Sequence, residues 1–235
     1  MSVAENIAHV REQIAAAARR AGRSPDSVTL MAVSKTFPAE SIQEAYAAGA
    51  RVFGENRVQE FAGKLPAVRD FPSAAFHLIG HLQSNKAAKA AELFHAVDSV
   101  DSVKLAEKLN SAALTLGKKL SVLLEVNVGG EAAKSGMSPG SAEILAILEA
   151  APRLASLEIR GLMTIPPFTE DPEGARPHFR QLRELRDRLV ARKLPQVHLI
   201  ELSMGMSHDF AVAIEEGSTF VRLGTAIFGV RTKAG

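Results

Sequence analysis

The sequence predicts the α/β class, as a single (β/α)8 barrel of the TIM type with one extra helix at its N-terminus. Three observations carry that expectation. Short apolar runs alternate with helical patterns along all 235 residues. The runs number eight, the count that closes such a barrel. No Pro/Gly-rich linker or low-complexity tract divides the chain, so one domain is expected over 1–235. Strict alternation implies parallel strands joined by crossover helices. A doubly wound open sheet shares that alternation and is the main competitor. Against it, no GxGxxG fingerprint follows the first strand, where a dinucleotide fold carries one.

Val3, Ile7, Val10 and Ile14 recur at helical spacing and mark a packed leading helix. The first strand reads TLMAVS (29–34), and Pro38 stops its pattern. A helix near 38–48 leads to ARVFG (50–54), and one near 56–65 leads to AFHLIG (75–80). Helical residues 85–91 precede LFHAVDS (93–99), and 102–116 precede LSVLLEVN (120–127). Segment 139–150 then connects to LEIRGLMT (157–164), and 173–192 to VHLIELS (197–203). A last helix near 207–216 leads into STFVRLG (218–224). In FRQLRELRDRLVARK (179–193), Arg180–Glu184, Arg183–Asp187 and Glu184–Arg188 are spaced for i,i+4 pairs on a solvated helix face. That segment is read as a surface, not as an RNA site.

Composition narrows the function. There is no cysteine, which rules out disulfides, thiolate metal sites and a cysteine nucleophile, and suits a reducing cytoplasm. The N-terminus lacks the pattern of a secretory signal, and no apolar run approaches a membrane span. Basic and acidic residues, 28 against 26, are mixed along the chain, a balance that points to neither nucleic acid nor membrane. His77 and His81 straddle a strand end without a third ligand, so no metal is expected. GGEAAKSG (129–136) fails the phosphate-loop spacing because Ala133 stands where glycine is required.

Chemistry in such barrels sits where strands lead into helices. On the first strand Met31, Val33 and Lys35 share one face, so Lys35 projects from the rim towards the axis. Leaving an apolar floor, that amine is expected to have a lowered pKa and to be nucleophilic towards carbonyls. A surface lysine snorkelling past the strand end is the alternative. After the eighth strand, Gly224 and Thr225 open a glycine-flanked turn with a hydroxyl and backbone N–H groups, the arrangement of a phosphate site. Ser203 and Gly205, ending the seventh strand, are placed to add donors. Arg222 shares a face with Phe220 and Gly224, and closure would put it beside the first strand. A barrel-end salt bridge is the other use for it. A ligand with an aldehyde for the lysine, a phosphate for the glycine turn and a ring nitrogen for the arginine is pyridoxal phosphate.

AVSKTFP, GENRVQE, FHLIGHLQSNK, LLEVNVGGEAAKSGM, RGLMTIPP, ELSMGMSHDFAVAI and GSTFVRLGTAIFGVR, spread over about 28–232, resemble the successive motifs of the pyridoxal phosphate homeostasis protein family. These are single-domain barrels similar to the N-terminal domain of alanine racemase. The resemblance implies that Lys35 holds pyridoxal 5'-phosphate as a Schiff base. It implies that Arg222 faces the pyridine nitrogen, and that Ser203, Gly224 and Thr225 hold the phosphate. Asn56, Met163 and Met204 resemble further pocket residues. Arg57 departs from the pattern, since many members carry an aromatic residue after GEN.

The resemblance implies a carrier that sequesters the cofactor and supplies apo-enzymes dependent on it, without clear catalysis. Residue chemistry agrees. An arginine does not give its proton to a ring nitrogen, which weakens the electron sink of cofactor-driven carbanion chemistry. Racemases of the related fold add a tyrosine from a second domain. Here no second domain is expected, and the only tyrosine, Tyr46, lies in the helix after the first strand. The alternative is a weak amino-acid racemase or decarboxylase with His77 or His81 as second base. Without the second domain's partner surface, a monomer is expected.

Overall fold

The computed structural model describes residues 1–131 and 134–229. Its eight strands are β1 Thr29–Val33, β2 Val52–Glu55, β3 Ala75–Leu78, β4 Ala96–Val100, β5 Leu120–Glu125, β6 Leu157–Met163, β7 Glu201–Met206 and β8 Phe220–Leu223. All pair in parallel and in chain order, and β1 against β8 closes the barrel, with Met31 opposite Arg222. An open doubly wound sheet is therefore excluded.

Alternation along each strand separates two apolar layers. Met31, Val33 and Ile79 cluster inside the barrel, flanked by Val52 and Phe220. Ala32, Phe53, Phe76, Val97 and Leu162 face outwards and belong to the main core beneath the helices. Phe61 ties this core together, with its ring 4.7 Å from Phe76 and 4.8 Å from Phe94. Truncating such a ring costs about 3–5 kcal/mol.

The helices are α1 Val3–Arg20, α2 Ala39–Ala47, α3 Val58–Lys64, α4 Ala87–Leu93, α5 Val103–Thr115, α6 Ala142–Glu149, α7 Arg176–Val190, α8 Phe210–Glu215 and the single turn α9 Thr225–Phe228. The extra helix α1 starts in a capping box, where Glu5 N–H donates to Ser2 Oγ at 3.2 Å and Ser2 N–H to Glu5 Oε2 at 2.7 Å. It buries Ile7, Val10 and Ile14 and donates from Asn6 to the Ile227 carbonyl at 2.8 Å. On α7, Arg180 and Arg183 reach across to Glu216, both at 3.1 Å, rather than pairing within their own helix as spacing suggested.

The seventh strand differs most from expectation. It begins later, at Glu201, and continues through Ser203, Met204 and Gly205 instead of ending there. Ser203 pairs with Phe220 but Met206 with Arg222, so β7 carries an extra residue. The bulge is made possible by Gly205 at φ +94°, where a Cβ would also sit 2.6 Å from that of Ala213. Glycine in a strand marks a stop or a bulge, and here it is the bulge.

Candidate functional site

A cavity of about 470 Å³ opens at the rim where the strands lead into helices. Among the expected site residues, Lys35, Asn56, Arg222, Gly224 and Thr225 line it. Four come from opposite ends of the chain and meet only because β1 pairs with β8.

Lys35 is the second residue of a turn, Ser34–Phe37, closed by Phe37 N–H donating to the Ser34 carbonyl at 3.1 Å. The turn continues β1, since Ser34 N–H still donates to Gly54 of β2 at 3.0 Å. Asn56 is held by close packing after β2, where a Cβ on Gly80 would lie 2.3 Å from the Asn56 carbonyl oxygen. Glycine is thus required at 80.

Arg222 is buried in the barrel wall. Its Nη1 donates to Ser203 Oγ and its Nη2 to the Thr164 carbonyl, both at 2.7 Å, which uses two of its five N–H groups. Burial lowers its pKa, while Asp98, Asp209 and Glu125 oppose that change. From so high an ordinary value, the guanidinium stays charged.

Met163, Ser203 and Met204 do not line the cavity. Met204 joins the main outer core, and Ser203, in register with inward Phe220, is buried within the barrel as an acceptor for Arg222. Met163, also fully buried, alternates with outward Leu162. Ordinary alternation before the bulge turns Ser203 inward and Met204 outward, and the bulge follows at Gly205. The bulge carries the strand onward, so Met206, Ser207 and His208 meet the cavity instead. Ser207 Oγ accepts from Ala226 N–H at 3.3 Å, next to Thr225.

Glu125 was not anticipated from sequence. It ends β5, lines the cavity and is almost wholly buried. Ser135 Oγ donates to its Oε1 at 3.2 Å, while Oε2 is buried without a hydrogen-bond partner among the described residues. Burial raises its pKa, against the pull of Ser135, His81 and Arg222. Its inward parity with Val33 and Arg222 was the available signal.

Of the two histidines, His81 lines the cavity, half-exposed, with its Nδ1 3.3 Å from Asp101. His77 lies deeper, with Nδ1 3.1 Å from Asp98. Burial opposes its charge, but Asp98 outweighs that and raises its pKa. Tyr46 is remote, its hydroxyl donating to the Pro72 carbonyl at 3.0 Å and its ring stacked on Phe71. Arg57 is exposed at the start of α3. In the 129–136 loop, Ala133 lies outside the described residues.

Fold and cavity together define a closed (β/α)8 barrel whose rim presents an amine, a buried guanidinium and hydroxyl donors to one small ligand. The family model "Alanine racemase, N-terminal domain" matches residues 6–232. The pyridoxal phosphate homeostasis protein of Aquifex aeolicus is 46% identical over 98% of this chain and 99% of its own. That of Escherichia coli K12 is 42% identical over 97% of each. PipY of Synechococcus elongatus, solved with and without pyridoxal phosphate, is 42% identical over 97% of this chain and all of its own, with a TM-score of 0.84. An alanine racemase of Clostridium difficile shares the fold at a TM-score of 0.71 and 16% identity; this chain covers 58% of it. The chain belongs to the alanine racemase N-terminal domain family, among the pyridoxal phosphate homeostasis proteins.

Proposed function

We propose that this protein binds pyridoxal 5'-phosphate through Lys35 and serves its homeostasis in the cytoplasm, sequestering the cofactor and supplying apo-enzymes, as a monomer without amino-acid turnover. The observation that carries this is the meeting of Lys35, Arg222, Gly224 and Thr225 on one cavity. The relatives' name and the PipY complex support the choice of ligand.

The cavity fits that group by its donor set. An amine, a charged guanidinium and the Thr225 and Ser207 hydroxyls suit an aldehyde, an aromatic nitrogen and a phosphate, in that order. The orphaned Glu125 Oε2 leaves one buried polar atom for a ligand to satisfy. When bound, pyridoxal phosphate supplies an aldehyde for primary amines and, in enzymes, a ring that withdraws electrons.

Lys35 is the residue to bind the aldehyde carbon. Arg222 orients the ring by donating a hydrogen bond and keeps its own proton, so it does not strengthen the electron sink. Thr225, Ser207 and the Gly224 backbone hold the phosphate end. For two-sided proton transfer a second group is needed across from Lys35, and Tyr46 is too remote to be it. Of His77 and His81, only His81 lines the cavity, and it keeps a racemase or decarboxylase reading in view. The test is transfer. Loaded protein mixed with an apo-enzyme should restore activity faster than free cofactor at equal concentration. Equal rates contradict delivery, and deuterium exchange at an added amino acid's α-carbon, lost in His81→Ala, favours the enzyme.

A further inference from the structure

Lys64 ends α3 and is buried, with its ammonium on four acceptor atoms that lie around one place. It donates to the Ser34 carbonyl at 3.0 Å, to Glu55 Oε1 and Oε2 at 3.0 and 3.1 Å, and to Glu60 Oε1 at 2.7 Å. Glu55 Oε1 also accepts from Ser34 Oγ at 2.7 Å, and Glu60 Oε1 from Thr36 N–H at 2.5 Å. Ser34 and Thr36 are the two neighbours of Lys35. The network therefore grips the peptide before the amine-bearing residue and the peptide after it.

The turn needs such a grip. Thr36 adopts φ +66°, a left-handed conformation that turn chemistry normally assigns to glycine or asparagine. A β-branched residue stays there only when surrounding contacts impose it. Glu60 supplies that contact at the Thr36 N–H, and Lys64 fixes Glu60. At the other flank, the Ser34 carbonyl takes both the turn's own Phe37 N–H and the Lys64 ammonium.

We infer that Lys64, with Glu55 and Glu60, forms a clamp that positions the Lys35 amine for capture of its aldehyde ligand; Lys64 is a positioning residue that acts through the turn. This rests on the reading that Lys35 is the attachment point. Reaction with a carbonyl needs a near-attack geometry, and small misplacements of the attacking atom are costly. An ion pair serving stability alone has no reason to place its contacts on both peptides flanking the nucleophile.

The experiment uses the full-length apo-protein and two probes. Stopped-flow mixing with pyridoxal phosphate reads the rate of capture as growth of the visible band. Competitive acetylation with acetic anhydride, mapped by mass spectrometry, reads Lys35 accessibility with no cofactor present. Lys64→Met and Glu60→Ala are expected to slow capture by about tenfold to a hundredfold. They should also speed Lys35 acetylation, because a loosened turn exposes the amine, and Lys64→Arg should recover part of both. Should Lys64→Met not fold, Glu60→Ala decides, since Glu60 is partly exposed and its loss leaves the Lys64–Glu55 pair intact. Folded variants with wild-type capture and wild-type acetylation overturn the clamp. Failure of the underlying reading looks different: Lys35→Ala would keep the visible band, while acetylation of Lys35 in the clamp variants would still report on the turn.

Discussion

Met31 of β1 lies in register with Arg222 of β8, although the chain separates them by most of its length. Beyond that pair, a Cβ on Gly224 would sit 3.4 Å from the Val33 carbonyl, so the glycine turn runs against the end of β1. The seam brings the Lys35 turn and the proposed phosphate turn to one cavity. No local pattern could do so; closure of the barrel does.

Arg222 is buried, it donates to Ser203 Oγ and the Thr164 carbonyl, and the fields of Asp98, Asp209 and Glu125 favour its charge. Arg222→Met is expected to cost about 1–3 kcal/mol in denaturant unfolding, because it leaves the buried Ser203 hydroxyl and Thr164 carbonyl without their donor. Arg222→Lys should recover stability but not ligand affinity, since a point charge lacks the fork that reaches Ser203 and Thr164. A Met variant as stable as the parent contradicts this assignment.

Ser207 lines the cavity and Ser203 accepts from Arg222, so the phosphate role expected of Ser203 is proposed here for Ser207. Ser207→Ala should weaken pyridoxal phosphate binding by about 1 kcal/mol, the net worth of a hydrogen bond. Ser203→Ala should act through Arg222 and lower thermal stability more than affinity. Spectroscopic titration beside thermal melts checks both, and the reverse ranking would return the phosphate to Ser203.

Burial raises the pKa of Glu125 above the ordinary glutamate value. The folded protein thus binds a proton more tightly than the unfolded chain, and stability falls as pH rises above the ordinary glutamate value of about 4.3. Glu125→Gln should therefore stabilise the protein at neutral pH and lose that advantage in acid below about pH 4. Unfolding midpoints across that range are the measurement; a gain that is flat with pH contradicts it.

His77 runs the other way. Its pKa is raised because Asp98 outweighs the cost of burial. The stability it contributes is fully present below the unfolded value of about 6.5 and disappears as pH rises through the folded pKa. His77→Gln should accordingly destabilise the protein at pH 6 and progressively less in alkali. A difference that does not depend on pH would show that the pair holds no extra proton.

Strand parity and chain order made much of this legible in the sequence. Lys35 follows Met31 and Val33 on one face, and Arg222 precedes Gly224 and Thr225 on another, so closure alone placed them together. The β7 bulge is hidden because Ser-Met-Gly reads as a strand end, which puts Ser203 at the rim, whereas placing Met204 in the pocket rests on the resemblance alone. Glu125 was hidden because an acid at a strand end resembles any solvated carboxylate until its burial is known. Lys64 left no trace at all: its partners are Ser34, Glu55 and Glu60, and only folding of α3 beside the β1 turn gathers them.

The most direct measurement is reduction of the loaded protein with borohydride, followed by digestion and mapping of the pyridoxyl group by mass spectrometry. Attachment is predicted at Lys35, with no modified peptide and no visible band in Lys35→Ala. A pyridoxyl group on another lysine, or an unchanged band in that variant, would contradict the assignment of Lys35 as the residue that holds the cofactor.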